Sequence, residues 1–242
     1  MSKLIDIIFR TESLDESSFL KQKGMIYSFL NPVSYLDALK HKELFCQMDG
    51  LFADGELLVK AIEMLYLRTV TRRSFDMTSI APQLFEYALA NNKSIYIVAS
   101  AQNEVERAVQ IFTKRYPGIN IIGFRNGYFT SDEEENEEAN YIVGLNPDFL
   151  IVGMGAVKQE EFLLKVKETG FKGVGFTCGG FIHQTAKNLI DYYPKWVDNY
   201  NLRFAYRMYK EPHTRKRYLR AGILFPIYFL MEKMGLQFTQ RS

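Results

Sequence analysis

Five short stretches of the chain carry side chains that could do chemistry. Asp54-Gly55 sets a carboxylate before a glycine. Such a carboxylate could take a proton from a hydroxyl, and the glycine permits a tight turn and close backbone approach. The same aspartate could instead cap a helix starting near Glu56. Asn31-Pro32 offers an amide that both donates and accepts hydrogen bonds, as a sugar or base requires. It reads equally as turn chemistry and a cap for the next helix. Arg72-Arg73-Ser74-Phe75-Asp76 precedes the helix at 78–90, and reads either as a functional stretch or as a solvated loop with Asp76 as a cap. Gly153-Met154-Gly155 followed by Lys158-Gln159-Glu160 resembles a phosphate cradle in which Gln159 could contact a sugar. It lacks the third glycine of a dinucleotide fingerprint, and Glu160 is expected to face the anion. The fifth stretch is Cys178-Gly179-Gly180-Phe181-Ile182-His183-Gln184, where His183 is either catalytic or structural.

Metal chemistry is not expected. His41 and His213 lie far from His183, with no standard ligand spacing, and no Asp-x-Asp occurs. The tail has a different character. Arg203, Arg207 and Lys210 fall at i, i+4 and i+7, and His213, Arg217 and Arg220 repeat that spacing. Arginine forks suit phosphate oxygens. Beside them run Leu219, Ile223, Leu224, Phe225, Ile227, Tyr228, Phe229, Leu230 and Met231. A cationic face next to an apolar one reads as a helix lying in a membrane interface, or as one packed on the body or another subunit. Nucleic acid is not expected, because the tail has no recognised nucleic-acid motif.

These stretches need a scaffold. Apolar runs at Met25–Leu30, Leu51–Ala53, Ser94–Ala99, Asn120–Phe124, Phe149–Gly153 and Gly173–Thr177 predict strands. Helical patterns at 34–43, 56–67, 78–90, 102–116, 132–144 and 158–169 lie between them. Ile- and Val-rich strands alternating with helices imply α/β architecture: a Rossmann-like, parallel-rich sheet with helices on both faces. Ligands in such sheets sit beyond the carboxyl ends of the strands, where four of the five stretches fall; the Arg72–Asp76 stretch precedes the helix at 78–90. Two basic helices, about 196–210 and 213–235, form a C-terminal helical appendage. The expected division is 1–194 as catalytic body and 195–242 as appendage, since about 50 residues bury too little core alone.

Composition agrees. The chain has 242 residues, 47% apolar and 14% aromatic, enough for a sizeable core. The net charge of +2 conceals a split: residues 1–194 carry 20 basic and 25 acidic side chains, and 195–242 carry 10 and 3. A basic tail on an acidic body points to an anionic partner. Two cysteines make no disulfide framework and fit a reducing compartment. No signal peptide is expected at the start, and no apolar run reaches the roughly 20 residues of a membrane span. Ser131 is expected to cap a helix whose first turn is acidic.

The order of these motifs is more specific than any one of them. Asn31-Pro32, Asp54-Gly55, Asp76, Tyr116-Pro117, Gly127-Tyr128-Phe129, Asn146-Pro147-Asp148, Gln159-Glu160, Gly179-Gly180, Tyr193-Pro194-x-Trp196 and Tyr206-Arg207-x-x-x-Glu211-Pro212 follow one another. Over roughly residues 24–220 the series resembles the WecG/TagA/CpsF glycosyltransferase family (family 26). The resemblance implies an inverting transferase with no metal and no cofactor. It implies a UDP-sugar donor and a polyprenyl-diphosphate-linked saccharide acceptor, used in surface polysaccharide biosynthesis. It also implies a peripheral location on the cytoplasmic face of the membrane, and leaves a homo-oligomer open. Asp54 maps onto the family's general base, and Asn31 and Gln159 onto its sugar contacts. Asp76 closes its Arg-x-x-Gly-x-Asp pattern. Arg207 and Arg217 map onto tail arginines at the leaving UDP; a third falls on Thr214, with Arg215 beside it. Departures surround the sugar pocket: Phe29 replaces a threonine, Leu57 and Ser74 replace glycines, Thr71 takes an arginine position next to Arg72, and Val157 replaces a proline. The alternatives are a non-catalytic homologue that binds lipid-linked sugars or scaffolds other enzymes, and a nucleotide-dependent oxidoreductase.

Overall fold

A computed structural model describes residues 2–14, 18–188, 197 and 203–236. Six strands form one all-parallel sheet: β1 (Ile26–Leu30), β2 (Gly50–Ala53), β3 (Ser94–Ala99), β4 (Asn120–Arg125), β5 (Phe149–Gly153) and β6 (Val174–Thr177). Their order across the sheet is β2-β1-β6-β5-β3-β4. All six predicted strands are present. The central ones are buried on both faces, which is why β5 reads Phe-Leu-Ile-Val-Gly without alternation.

Helices cover both faces. One face carries α1 (Lys3–Glu12), α2 (Pro32–Lys40), the single turn α3 (Lys42–Phe45), α4 (Glu56–Tyr66), α7 (Asp132–Leu145) and α8 (Lys158–Thr169), packed over Leu30, Leu51, Tyr96 and Leu150. The other carries α5 (Ile80–Ala90), α6 (Gln102–Arg115) and α9 (Phe181–Asn188), packed over Tyr27, Ile97, Ile151 and Phe176. Ser131 caps α7 by accepting the Glu134 N–H at 3.3 Å, as expected.

The sequence reading placed no helix at α1, α3 or α9. The first of these protects an edge strand. The Thr11 hydroxyl accepts the Leu51 N–H at 3.0 Å, so β2 does not leave that donor open. Gly50 permits this approach: a Cβ there would lie 2.6 Å from the Tyr27 ring and 2.8 Å from Thr11 Oγ1.

The tail contributes α10 (Arg203–Lys210), a 3-10 turn at Pro212–Thr214 and α11 (Arg215–Lys233). The Tyr193-Pro194-x-Trp196 motif and the start of the predicted helix at 196–210 lie outside the described residues. Phe225 and Phe229 on α11 are buried against Tyr35 of α2, and Phe229 also meets Tyr66 of α4. Glu232 accepts from the Ser2 and Tyr35 hydroxyls and pairs with Lys42 at 3.0 Å. The opposite face of α11 presents Leu219, Ile223, Ile227 and Leu230 to solvent. Among the described residues, no helix is long and apolar enough to cross a membrane.

Candidate active site

The carboxyl edge of the sheet gathers most of the candidate residues. In the β1/β2 register Leu30 lies opposite Ala53, so Asn31 and Asp54 emerge side by side. The Asp54 N–H donates to the Leu30 carbonyl at 2.8 Å. Asn31 does cap α2: its Oδ1 accepts from the Val33 and Ser34 amides at 2.9 and 3.1 Å. Asp54 is placed differently. The N-cap position of α4 belongs to Gly55, whose φ of 91° a residue with a side chain rarely adopts. The Asp54 carboxylate instead faces Arg72, with Oδ1 4.0 Å from Nε.

Arg72 links two candidate acids. Its Nη2 lies 3.9 Å from Asp76 Oδ2 and donates to Ser74 Oγ at 3.2 Å. The Ser74 hydroxyl in turn donates to Asp76 Oδ2 at 2.7 Å. Asp76 Oδ1 accepts the Thr78 N–H at 2.8 Å, which folds the loop ahead of α5. The next residue, Arg73, ties the loop to the sheet by donating its N–H to the Ala53 carbonyl at 2.9 Å. In the sequence alone Arg72 reads as part of a loop of undecided role. Its signal was an arginine one position from the family pattern and four residues before Asp76.

Two strands further along, the loop after β5 and the turn after β6 meet. Gly153 has no room for a side chain: a Cβ would lie 2.7 Å from Cys178 Sγ and 2.9 Å from the Gly179 carbonyl. Val157 adopts φ 75°, an outlier for a β-branched residue. Gln159 and Glu160 open α8, and both are buried, at 5% and 1% exposure. The expectation that Glu160 faces an anion is therefore corrected: its carboxylate points inward and accepts the Ser28 hydroxyl at 2.7 Å. Burial pushes the Glu160 carboxyl up from its ordinary range, against the pull of its hydrogen bonds.

The Arg207 guanidinium reaches this turn from α10. Its Nη2 lies 2.9 Å from where a Gly180 Cβ would stand, and its Nε donates to Glu211 at 3.4 Å. Arg215 and Arg217 do not join this group. Arg215 Nε donates to the Met208 carbonyl within the tail, and Arg217 Nη2 reaches Asp37 on α2 at 3.4 Å. His183 meets Glu104 across the α6/α9 interface at 2.7 Å. Burial tends to raise the Glu104 carboxyl, but His183, the Ala101 N–H and the Ser100 hydroxyl together outweigh it and hold the group below its usual range. Among the described residues, no group of three or more His, Cys, Asp or Glu side chains converges as metal ligands.

Residues 9–238 match the model of the Glycosyl transferase WecG/TagA/CpsF family. The chain is 34% identical over 237 residues to a UDP-Gal:alpha-D-GlcNAc-diphosphoundecaprenol beta-1,4-galactosyltransferase of Shigella boydii, covering 98% of this chain and 99% of that one. It is 26% identical over 209 residues to an N-acetylglucosaminyldiphosphoundecaprenol N-acetyl-beta-D-mannosaminyltransferase of Bacillus subtilis, covering 84% and 79%. An enzyme of the latter name from Staphylococcus aureus is 28% identical over 137 residues, covering 55% of this chain and 52% of its own.

Proposed function

The chain belongs to the WecG/TagA/CpsF family of glycosyltransferases, and from that premise we propose that it moves a sugar from a UDP-sugar to a polyprenyl-diphosphate-linked saccharide, with inversion and without a metal. The product feeds surface polysaccharide synthesis. The observation that carries this reading is the spacing along the carboxyl edge. Asp54 follows β2 and the Gly179-Gly180 turn follows β6, with β1 between them. Two strand spacings put the carboxylate and the Arg207 seat roughly 10 Å apart. A hexose fits between them. Inversion needs attack and departure on opposite faces of the anomeric carbon, and this span supplies a group on each side.

In the proposed step, Asp54 accepts the proton of the acceptor hydroxyl. The hydroxyl oxygen forms a bond to the anomeric carbon. The bond from that carbon to the UDP oxygen breaks, and its electron pair leaves with UDP. Arg207 offsets the charge that develops on the diphosphate. Asn31 and Asp76 are assigned to the sugar side, and Gln159, buried with its amide bonded to Glu160 and Gly179, supports that wall from behind. Arg215 and Arg217, which the family mapping sets at the leaving UDP, lie apart from Arg207, on the Met208 carbonyl and Asp37. The names of the relatives support a UDP-sugar donor and a diphosphoundecaprenol acceptor.

Residues 195–242 act in this proposal as an appendage that holds the enzyme on the cytoplasmic face of the membrane. The exposed apolar stripe on α11, with Arg215, Lys216 and Arg220 also exposed at its start, supports that role. Each basic residue near an anionic leaflet is worth on the order of 1 kcal/mol. Incubation with UDP-galactose or UDP-N-acetylmannosamine and diphosphoundecaprenol-linked N-acetylglucosamine tests the reading. A lipid-linked disaccharide is expected, formed equally well in excess chelator. Tight UDP binding with no turnover of any UDP-sugar would favour the non-catalytic homologue instead.

A further inference from the structure

A buried polar network beneath the strand ends has no part in the step described above. Glu160 is its centre. One carboxylate oxygen accepts the Ser28 hydroxyl at 2.7 Å and the Gln159 amide at 2.8 Å. The other accepts the Val157 N–H at 2.7 Å. Thr177 on β6 donates to Ser28 on β1 at 3.0 Å, which extends the network across two neighbouring strands.

The partners fix the orientation of the Gln159 amide. The Gly179 backbone N–H can only donate, so the Gln159 oxygen faces the turn after β6, accepting that N–H at 3.1 Å, and the Gln159 nitrogen faces Glu160. That turn has a left-handed residue, Gly179 at φ 54°, followed by Gly180. Arg207 lies against Gly180, and Glu211 holds its Nε from the other side.

We propose that Glu160 is a positioning residue: acting through Gln159, it fixes the Gly179-Gly180 turn on which the Arg207 guanidinium rests. The buried carboxylate orients the amide, the amide holds the backbone, and the backbone seats the cation that faces the leaving diphosphate. The Val157 N–H bond has a second consequence. It secures the strained residue at the mouth of the β5 loop, so one side chain sets both loops that border the diphosphate. The inference rests on the transferase reading, because the seat matters only if Arg207 meets a leaving group.

A double-mutant cycle tests it. Glu160→Gln leaves one acceptor oxygen for three donors and turns an NH2 toward another donor. Its kcat is expected to fall by up to about 100-fold, the scale of a 1 Å misplacement at a reacting centre, with acceptor KM little changed. Arg207→Ala alone should lose as much or more. The double variant should be no slower than Arg207→Ala, because the first change acts only through the second group. Losses that multiply would mean that Glu160 serves the fold in general, and wild-type kcat in Glu160→Gln would do the same damage to the proposal. If Glu160→Gln does not fold, Glu160→Asp enters the same cycle. It keeps the charge but withdraws it by one methylene from the three donors. Should the wild type turn over no UDP-sugar, the transferase reading fails by itself. The cycle is then read from UDP affinity by calorimetry, where non-additive losses uphold the seat and additive losses overturn it.

Discussion

Replacing Leu219, Ile223 and Ile227 together by serine strips the outer face of α11 and leaves its inner face intact. Their exposures are 63%, 67% and 50%, so half to two-thirds of each side chain is open to a lipid surface. Full burial of such a side chain is worth about 1.5–3 kcal/mol, which makes each available portion worth about 1 kcal/mol. The triple variant should therefore lose about 3 kcal/mol of membrane affinity, roughly 100-fold in the partition constant. Sedimentation with vesicles of phosphatidylglycerol and phosphatidylethanolamine at physiological salt measures this, and a thermal melt checks the fold. The inner face supplies the contrast. Phe229 is buried between Tyr35 and Tyr66, so Phe229→Ala should cost about 3–5 kcal/mol of stability. Its folded fraction should still sediment. Deleting residues 221–242 removes both faces at once and so confuses docking with unfolding. Unchanged partition of the triple variant, with an unchanged melt, would refute the membrane-facing assignment of α11.

Two further substitutions have defined outcomes. Arg72→Ala removes the cation between Asp54 and Asp76, and should lower kcat by about 10- to 100-fold with little change in melting temperature, as steady-state kinetics and calorimetry will show. Asp148 sits at the amino edge of the sheet. Burial tends to raise its carboxyl, but the Ser94 amide and hydroxyl and the Lys93 ammonium outweigh that and hold it below the usual range. A carboxyl depressed in the folded state stabilises above its unfolded pKa and loses that contribution as pH falls through the folded one. Asp148→Asn should therefore cost on the order of 1 kcal/mol at neutral pH in urea titrations, and the deficit should shrink in acid.

The six strands were legible because parallel strands buried on both faces read as unbroken Ile, Val and Phe runs. Their order was not. β6 inserts between β5 and β1, and its pairing with β1 joins residues more than 100 positions apart, such as Ile26 with Gly175. The first helix is harder to see in the sequence because its buried face, Leu4, Ile5, Ile7 and Ile8, sits on a helix of only 10 residues. In the site, Asn31 and Asp54 were legible only as residues at strand ends; that they stand side by side comes from the β1/β2 pairing. Arg72 was not, since its value comes from Asp54 and Asp76 converging on it in space. Glu160 misled for a simple reason. An acid next to a glycine loop looks solvent-facing in one dimension, and only Ser28, 132 positions away, shows why it points inward.

Turnover of Asp54→Asn on UDP-sugar and lipid-linked acceptor is the most direct test of the account. The substitution keeps the shape of the side chain and removes its capacity to take a proton. A loss of about 10²- to 10⁴-fold in kcat is expected, with UDP affinity and melting temperature close to wild type. Turnover within about twofold of wild type would contradict the assignment of Asp54 as the base, and with it the placing of the acceptor hydroxyl beside β2.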